Sequence, residues 1–166
     1  MHKYKIVLVL FILIFNSCQE SIKSSTNQNS KDSISDFKFT QPQKLISLPL
    51  KYRIQNNIFG WSELSSFIEG FENFIKLNQE GNLVFIKELD TKASSLSKSN
   101  YPKHLDLPDI RSRLKVVQTF LKQCKFHSEN NNWKELDLSL QNLYISYNSF
   151  IKRIKSINEE VLLFKE

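Results

Sequence analysis

The last third of the chain carries an apolar pattern that is typical of one long helix. Apolar side chains recur there in alternating steps of three and four residues, at Trp133, Leu136, Leu140, Leu143, Tyr147, Phe150, Ile154, Ile157, Val161 and Phe164. This spacing puts them all on one helical face, the seam along which helices pack at a shallow angle. Asn132 and Glu135 form a capping-box pattern at its start. We therefore predict a helix about 45 to 50 Å long whose apolar face other helices must cover.

Three shorter stripes with the same period lie upstream. Their members are Trp61, Leu64, Phe67, Ile68, Phe71, Phe74 and Ile75 in the first, Ile86, Leu89, Ala93 and Leu96 in the second, and Ile110, Leu114, Val117, Leu121 and Cys124 in the third. Pro108 suits the first turn of the third helix, and Asp109 adds a favourable charge there. Because the connections are short, consecutive helices should be antiparallel neighbours. The sequence thus predicts an all-α fold, an up-down antiparallel four-helix bundle.

Packing must stabilise this bundle without help from a disulfide. Beyond Cys18 the chain has one further cysteine, Cys124, and a single thiol cannot form an internal bridge. Ala93 is the sole alanine, so the core must be filled by Leu, Ile, Val and aromatic rings. We expect one helical domain over residues 45–166.

Two segments without helical periodicity precede the bundle. In residues 45–54, LISLPLKYRI, apolar side chains alternate with the others, which predicts an extended arm laid across the helices. Residues 18–44 begin with a stretch of Ser, Asn, Lys and Gln that has too few apolar groups to offset the entropy of ordering. We therefore expect residues 18–44 to be a flexible, disordered tether.

The N-terminus reads as a targeting segment. His2, Lys3 and Lys5 precede ten consecutive apolar residues, 6–15, whereas a bilayer span needs about 20. Residues 1–17 are therefore expected to be a signal peptide. The motif FNSC, which ends at Cys18, resembles the lipobox of bacterial lipoproteins, although Phe15 and Asn16 depart from its usual residues.

The lipobox resemblance implies that Cys18 is lipidated and becomes the first residue of a membrane-anchored chain. Gln19 follows the cysteine, and in Gram-negative lipoproteins a residue other than aspartate there implies delivery to the outer membrane. The chain would then face the periplasm or the cell surface. The alternative is an ordinary signal peptide with a chance cysteine. The domain itself is similar only to the loose group of small helical lipoproteins of unknown function.

The positive charge of the chain is not a reason to expect a nucleic-acid partner. The net charge is +6, and scattered lysines are usually a solvated surface. Lys152, Arg153 and Lys155 cluster on the last helix, so an anionic membrane surface is an alternative contact.

The sequence lacks the motifs of common cofactor and catalytic sites. It contains no Glu-x-x-His pair, no C-x-x-C-H, no G-x-S-x-G turn and no glycine-rich phosphate loop. Cys124 and His127 share a helix face, but two ligands are only half of a structural metal site. We predict no catalytic residue, no metal and no cofactor, and a protein that is not an enzyme.

Two groups of residues remain as candidate binding sites. The segment HLDLPDIRSR crowds His104, Asp106, Asp109, Arg111 and Arg113 around a helix start, where they suit an anion or a protein partner. Local capping and ion pairing is the competing interpretation. A set of aromatic residues could line an apolar cleft or simply fill the core: Trp61, Phe67, Phe71, Trp133, Tyr144, Tyr147 and Phe150.

Two functions are compatible with these features. The first is a membrane-anchored, non-enzymatic module of the cell envelope that binds a protein partner, as a scaffold, accessory subunit or inhibitor. The alternative is a ligand-carrying bundle that holds a metal, haem or lipid between its helices in the periplasm.

Overall fold

Four long helices make up most of the structure. The structure is a computed structural model, and it describes residues 37–56, 58–77 and 83–163. We number its α-helices α1 (Leu50–Gln55), α2 (Ser62–Leu77), α3 (Leu83–Lys98), α4 (Pro108–Glu129) and α5 (Trp133–Leu163). A short 3-10 helix, Lys103–Leu105, lies between α3 and α4. Within the described ranges there is no strand. The predicted all-helical bundle is confirmed.

The predicted signal peptide and the lipobox cysteine, Cys18, lie outside the described residues. None of the helices in the described part of the chain is both long enough and apolar enough to cross a membrane.

Consecutive long helices run in opposite directions. The Trp61 indole N–H, beside the start of α2, donates to the Ser99 hydroxyl just after α3, at 2.8 Å. Near the start of α3, the Lys87 ammonium lies 3.3 Å from the carboxylate of Glu129, the last residue of α4. Both contacts join the beginning of one helix to the end of the next.

Aromatic rings join α2 to α5. The Phe71 ring stacks on Tyr147, with centroids 3.9 Å apart and an interplanar angle of 25°. Phe67 lies edge-on to Phe150 on one side of this pair, and Phe74 contacts Tyr144 on the other. Residue numbers rise along α2 as they fall along α5, so these two helices are also antiparallel.

The apolar stripes found in the sequence form the core. All members predicted for α3 and α4 are buried, as are those of α2 except Ile75, which is partly buried. In α5 the stripe is buried from Leu136 to Ile157, and Trp133 at its start is partly buried. The side chains of Val161 and Phe164 lie outside the described residues.

The prediction that residues 45–54 are extended is wrong for their last five residues, which belong to α1. Pro49 precedes α1 and needs no N–H partner, while its carbonyl accepts from the Arg53 amide at 3.1 Å. Apolar side chains at 50 and 54 fit a helical turn as well as they fit alternation. Leu50 and Ile54 are 51% and 57% exposed, so these two positions do not continue the buried side to which Leu48 belongs.

The chain before α1 follows α5 in the same direction. Thr40 donates from its backbone N–H and its hydroxyl to the Asp137 carboxylate, at 2.8 and 2.7 Å. Further along, the Asn148 side chain accepts from the Ile46 N–H at 2.7 Å and donates to the Lys44 carbonyl at 3.0 Å. Contact with α5 therefore begins before residue 45, where the sequence had set the end of the tether. The partners are polar side chains of α5, which the composition of residues 37–44 does not reveal.

Asn148→Ala should loosen this segment without disturbing the bundle. The change removes both hydrogen bonds to the chain at Lys44 and Ile46, and we expect a loss of about 1 to 2 kcal/mol in unfolding free energy. Urea unfolding measures the loss, and amide exchange should accelerate at Ile46. Asn142→Ala, the same change on another face of α5, is the control. Equal losses in both variants would contradict this role for Asn148.

Candidate functional site

A ladder of side chains runs along the outer seam between α4 and α5. The Arg153 guanidinium donates to the Asp109 carboxylate at 2.5 Å, and four residues further along α4 the Arg113 guanidinium donates to the Ser149 hydroxyl. Each step along α4 is matched by an equal step back along α5, as expected for antiparallel helices. After Arg113, the same face of α4 continues with Val116 and Phe120.

Small residues on α5 turn this seam into a groove. Ser146 is buried and its hydroxyl donates to the Leu143 carbonyl of its own helix, so no long side chain fills the seam there. Val116 and Phe120 of α4 and Ile145 of α5 line the depression. Val116 is 47% exposed and Ile145 is 50% exposed, so its apolar wall faces solvent. We call this depression, together with its continuation along Ser149, Lys152 and Ser156, the α4–α5 groove.

The two ends of the α4–α5 groove differ in polarity. The apolar end has a volume of about 330 Å³, and a second volume of about 310 Å³ is lined by Arg113, Ser149, Lys152, Arg153 and Ser156. Arg113 and Ser149 belong to both. In the described part of the chain neither Arg113 nor Lys152 has a carboxylate within 4 Å, whereas Arg153 is paired with Asp109. The groove thus joins an apolar wall to two cations that lack an ion pair among the described residues.

The ion pair at the cationic end is fixed from several sides. The hydrogen bond from Arg153 lowers the pKa of the Asp109 carboxyl, and the nearby positive charge and the Ile110 backbone N–H act in the same direction. Asp109 also lies in the first turn of α4, where a negative charge interacts well with the helix dipole. Arg153 donates further to the Ser156 hydroxyl at 3.0 Å. These contacts hold Arg153 against α4.

The structure divides the charged cluster predicted around the start of α4. Arg111 donates to Asp106 at 2.6 Å, and its guanidinium lies 4.1 Å from the centre of the Tyr101 ring. That hydrogen bond lowers the pKa of the Asp106 carboxyl. His104 is partly buried in the 3-10 helix. Local ion pairing accounts for Asp106 and Arg111.

Asp109 and Arg113, the two remaining members of that cluster, lie instead on the α4–α5 seam. Their partners, Arg153 and Ser149, come from a helix that follows far along the chain. The five predicted residues therefore belong to at least two separate arrangements, and their role in binding an anion or a partner stays a prediction.

Cys124 and six of the seven aromatic candidates are core residues, whereas His127 and Trp133 are only partly buried. Cys124 is fully buried, and burial raises the pKa of its thiol to about 12, so it keeps its proton. Among the described residues no group of three or more His, Cys, Asp or Glu side chains could hold a metal ion. The aromatic residues of α2 pack ring against ring with those of α5. Burial raises the pKa of both Tyr144 and Tyr147.

Sequence reasoning missed most of the residues that form the groove. Val116, Phe120 and Ile145 are apolar but lie off the core stripes of their helices. An apolar residue outside the core stripe of its helix was the signal in the sequence that could have identified them. Lys152 was noted only as part of a basic cluster, and the serines carried no signal because the chain has so many of them.

Comparison with known proteins finds no relative of this chain. No family model, no curated protein and no solved structure matches this chain.

Asp109→Asn should destabilise the bundle slightly, and in a pH-dependent way. At pH 7 we expect a loss of about 0.5 to 1 kcal/mol, since the pair is partly exposed. Because the folded pKa of Asp109 is below its usual 3.8, its contribution is fully present above that value and is lost as pH falls through the folded pKa. Urea midpoints from pH 7 down to about pH 2 should therefore converge for wild type and variant.

Glu69→Gln, at an exposed position of α2, is the control for removing one carboxylate. A difference between wild type and Asp109→Asn that stayed constant over the whole pH range would contradict the ion-pair explanation. So would an equal loss in the Glu69→Gln variant.

Proposed function

We propose that this chain is a membrane-anchored helical lipoprotein, a non-enzymatic module of the cell envelope that binds a protein partner through the α4–α5 groove. The observation that carries the proposal is the groove itself, an exposed apolar wall that continues into two cations. Exposed apolar surface next to polar groups is characteristic of protein contact sites.

The openness of the groove favours a protein over a small ligand. Small-molecule sites usually enclose 70–90% of the ligand surface, whereas Val116 and Ile145 are each about half exposed. A protein surface can cover both walls and extend past them. A ligand between the helices, the alternative function, gains no specific support, because aromatic rings of α2 and α5 occupy that space in the described structure.

We further propose that the four long helices form an up-down antiparallel four-helix bundle. Polar contacts between the ends of consecutive helices support this topology, and the aromatic contacts of α2 with α5 support a closed arrangement. Such a bundle would be a rigid platform, with Val116 and Ile145 held on two helices of fixed separation.

The anchor at Cys18 would allow the bundle considerable reach. Residues 37–40 contact α5 near its start, through Thr40 and Asp137. We propose that the segment between Cys18 and this contact acts as the tether predicted from the sequence. A partner could then be bound close to the membrane or across part of the envelope. The proposal has two versions, one in which the bundle faces the periplasm and one in which it faces the cell surface.

Cys18→Ala should abolish lipid attachment. Cells fed a clickable fatty acid should incorporate label into the wild-type protein in the outer-membrane fraction and none into the variant, because the acyl chains attach at that residue. Cys124→Ala is the matched control, since it removes the other cysteine and should keep the label. Unlabelled wild type, or label that survives in Cys18→Ala, would contradict the lipoprotein proposal.

A photo-crosslinking residue in the groove should capture a protein in intact cells. We expect a discrete adduct with benzoylphenylalanine at Ile145 or Val116, because both side chains would face the bound partner. Val84 on α3, which is 69% exposed, is the control position and should give none. Identical adducts at Val84, or no adduct at either groove position, would count against a protein-binding function at this site.

A further inference from the structure

We infer that the occupant of the α4–α5 groove is one amphipathic helix of the partner, with an apolar face and acidic side chains toward one end. This inference rests on the proposed protein-binding function and specifies the chemistry of the partner.

The shape of the groove fits a third helix. Two antiparallel helices form its walls, and a helix laid over such a seam packs by placing its ridges between theirs, at axial distances of about 8 to 10 Å. From Asn142 to Ser156 the groove follows α5 for about 21 Å, which corresponds to about four helical turns. A partner helix of that length would present apolar residues at the positions i, i+3 or i+4, and i+7.

The polarity of the groove selects the charge of that helix. Its apolar residues would lie over Val116, Phe120 and Ile145. At the other end, Arg113 and Lys152 have no ion pair within the described part of the chain, and Asp109 is already committed to Arg153. Covering two cations that lack an ion pair would cost free energy, whereas carboxylates placed opposite them remove that cost. The charge asymmetry also fixes which end of the partner helix meets Arg113.

An anionic lipid shares part of this chemistry but fits the groove less well. Its headgroup could interact with Arg113 and Lys152, and its acyl chain could lie along Ile145. One acyl chain is narrower than a helix and would leave much of the opposite wall, at Val116, in water. The observations therefore favour a helix, and the lipid becomes one outcome of the test.

A charge-swap experiment with defined peptides tests the inference. The mature full-length protein is purified, in nanodiscs or in buffer according to where it fractionates, and titrated into two fluorescent four-turn peptides. Both have the same leucine stripe. One has glutamates at one end, and the other has lysines at those positions. Fluorescence anisotropy gives each affinity for wild type and for the double variant Arg113→Glu with Lys152→Glu.

The wild-type protein should prefer the glutamate peptide by roughly tenfold or more. In the double variant the preference should reverse, because the lysine peptide now meets opposite charges. Lys98→Glu with Lys103→Glu, a reversal of two exposed charges away from the groove, should keep the wild-type preference. Equal affinities for the two peptides, or the same reversal in the control variant, would overturn the inference.

Three further outcomes relate this inference to the proposed function. A crosslink at Ile145 without any peptide charge preference would leave the protein-binding function and overturn the acidic helix. Displacement of the glutamate peptide by oleate or by phosphatidylglycerol vesicles, dependent on Arg113 and Lys152, would assign the groove to an anionic lipid and overturn the helix. Charge preference without a crosslink at either Ile145 or Val116 would count against the protein-binding function, and the inference that rests on it would fall as well.

Discussion

The packing of one face of α5 against the aromatic rings of α2 is the interaction on which the rest of the structure depends. Phe71 stacks on Tyr147, and Phe67 also contacts that ring, at 5.9 Å between centroids. Each aromatic pair of this kind contributes about 0.5 to 1.5 kcal/mol of stabilisation beyond that from the burial of apolar surface. With Ala93 as its sole alanine, the chain fills the space between these helices with large rings. Their fit fixes the rotation of α5 about its own axis.

The rotation of α5 decides what each of its other faces can do. With Tyr147 turned into the core, Asn148 points toward the preceding chain at Lys44 and Ile46, and Ser149 points toward Arg113. A rotation by one residue, about 100°, would put Asn148 into the core in place of an aromatic ring. The core therefore couples the docking of the N-terminal segment to the shape of the groove.

The sequence predicted the helices well because each stripe repeats the same information over several turns. It failed at residues 50–54, where one or two turns of apolar residues fit a strand and a helix equally. The sequence also did not indicate which residues share a seam. His104 and Arg113 are close in sequence, yet a helix start sends neighbouring residues in different directions. Arg113 and Ser149 are far apart in sequence, and only the packing of α4 on α5 brings them together. Surface seams depend on that packing, which no local pattern reveals.

Several titratable groups of the described chain keep one protonation state near neutral pH. A general acid or base works best with a pKa near the operating pH. In the described chain, ion pairing and burial move the pKa of several groups away from that range. Ion pairing lowers the pKa of Asp106 and Asp109, which keeps both carboxylates ionised, and burial raises the pKa of Cys124 and Tyr147, which keeps both neutral. Fixed charges beside an open apolar wall are what a binding surface needs, because they discriminate between partners without having to change during the encounter.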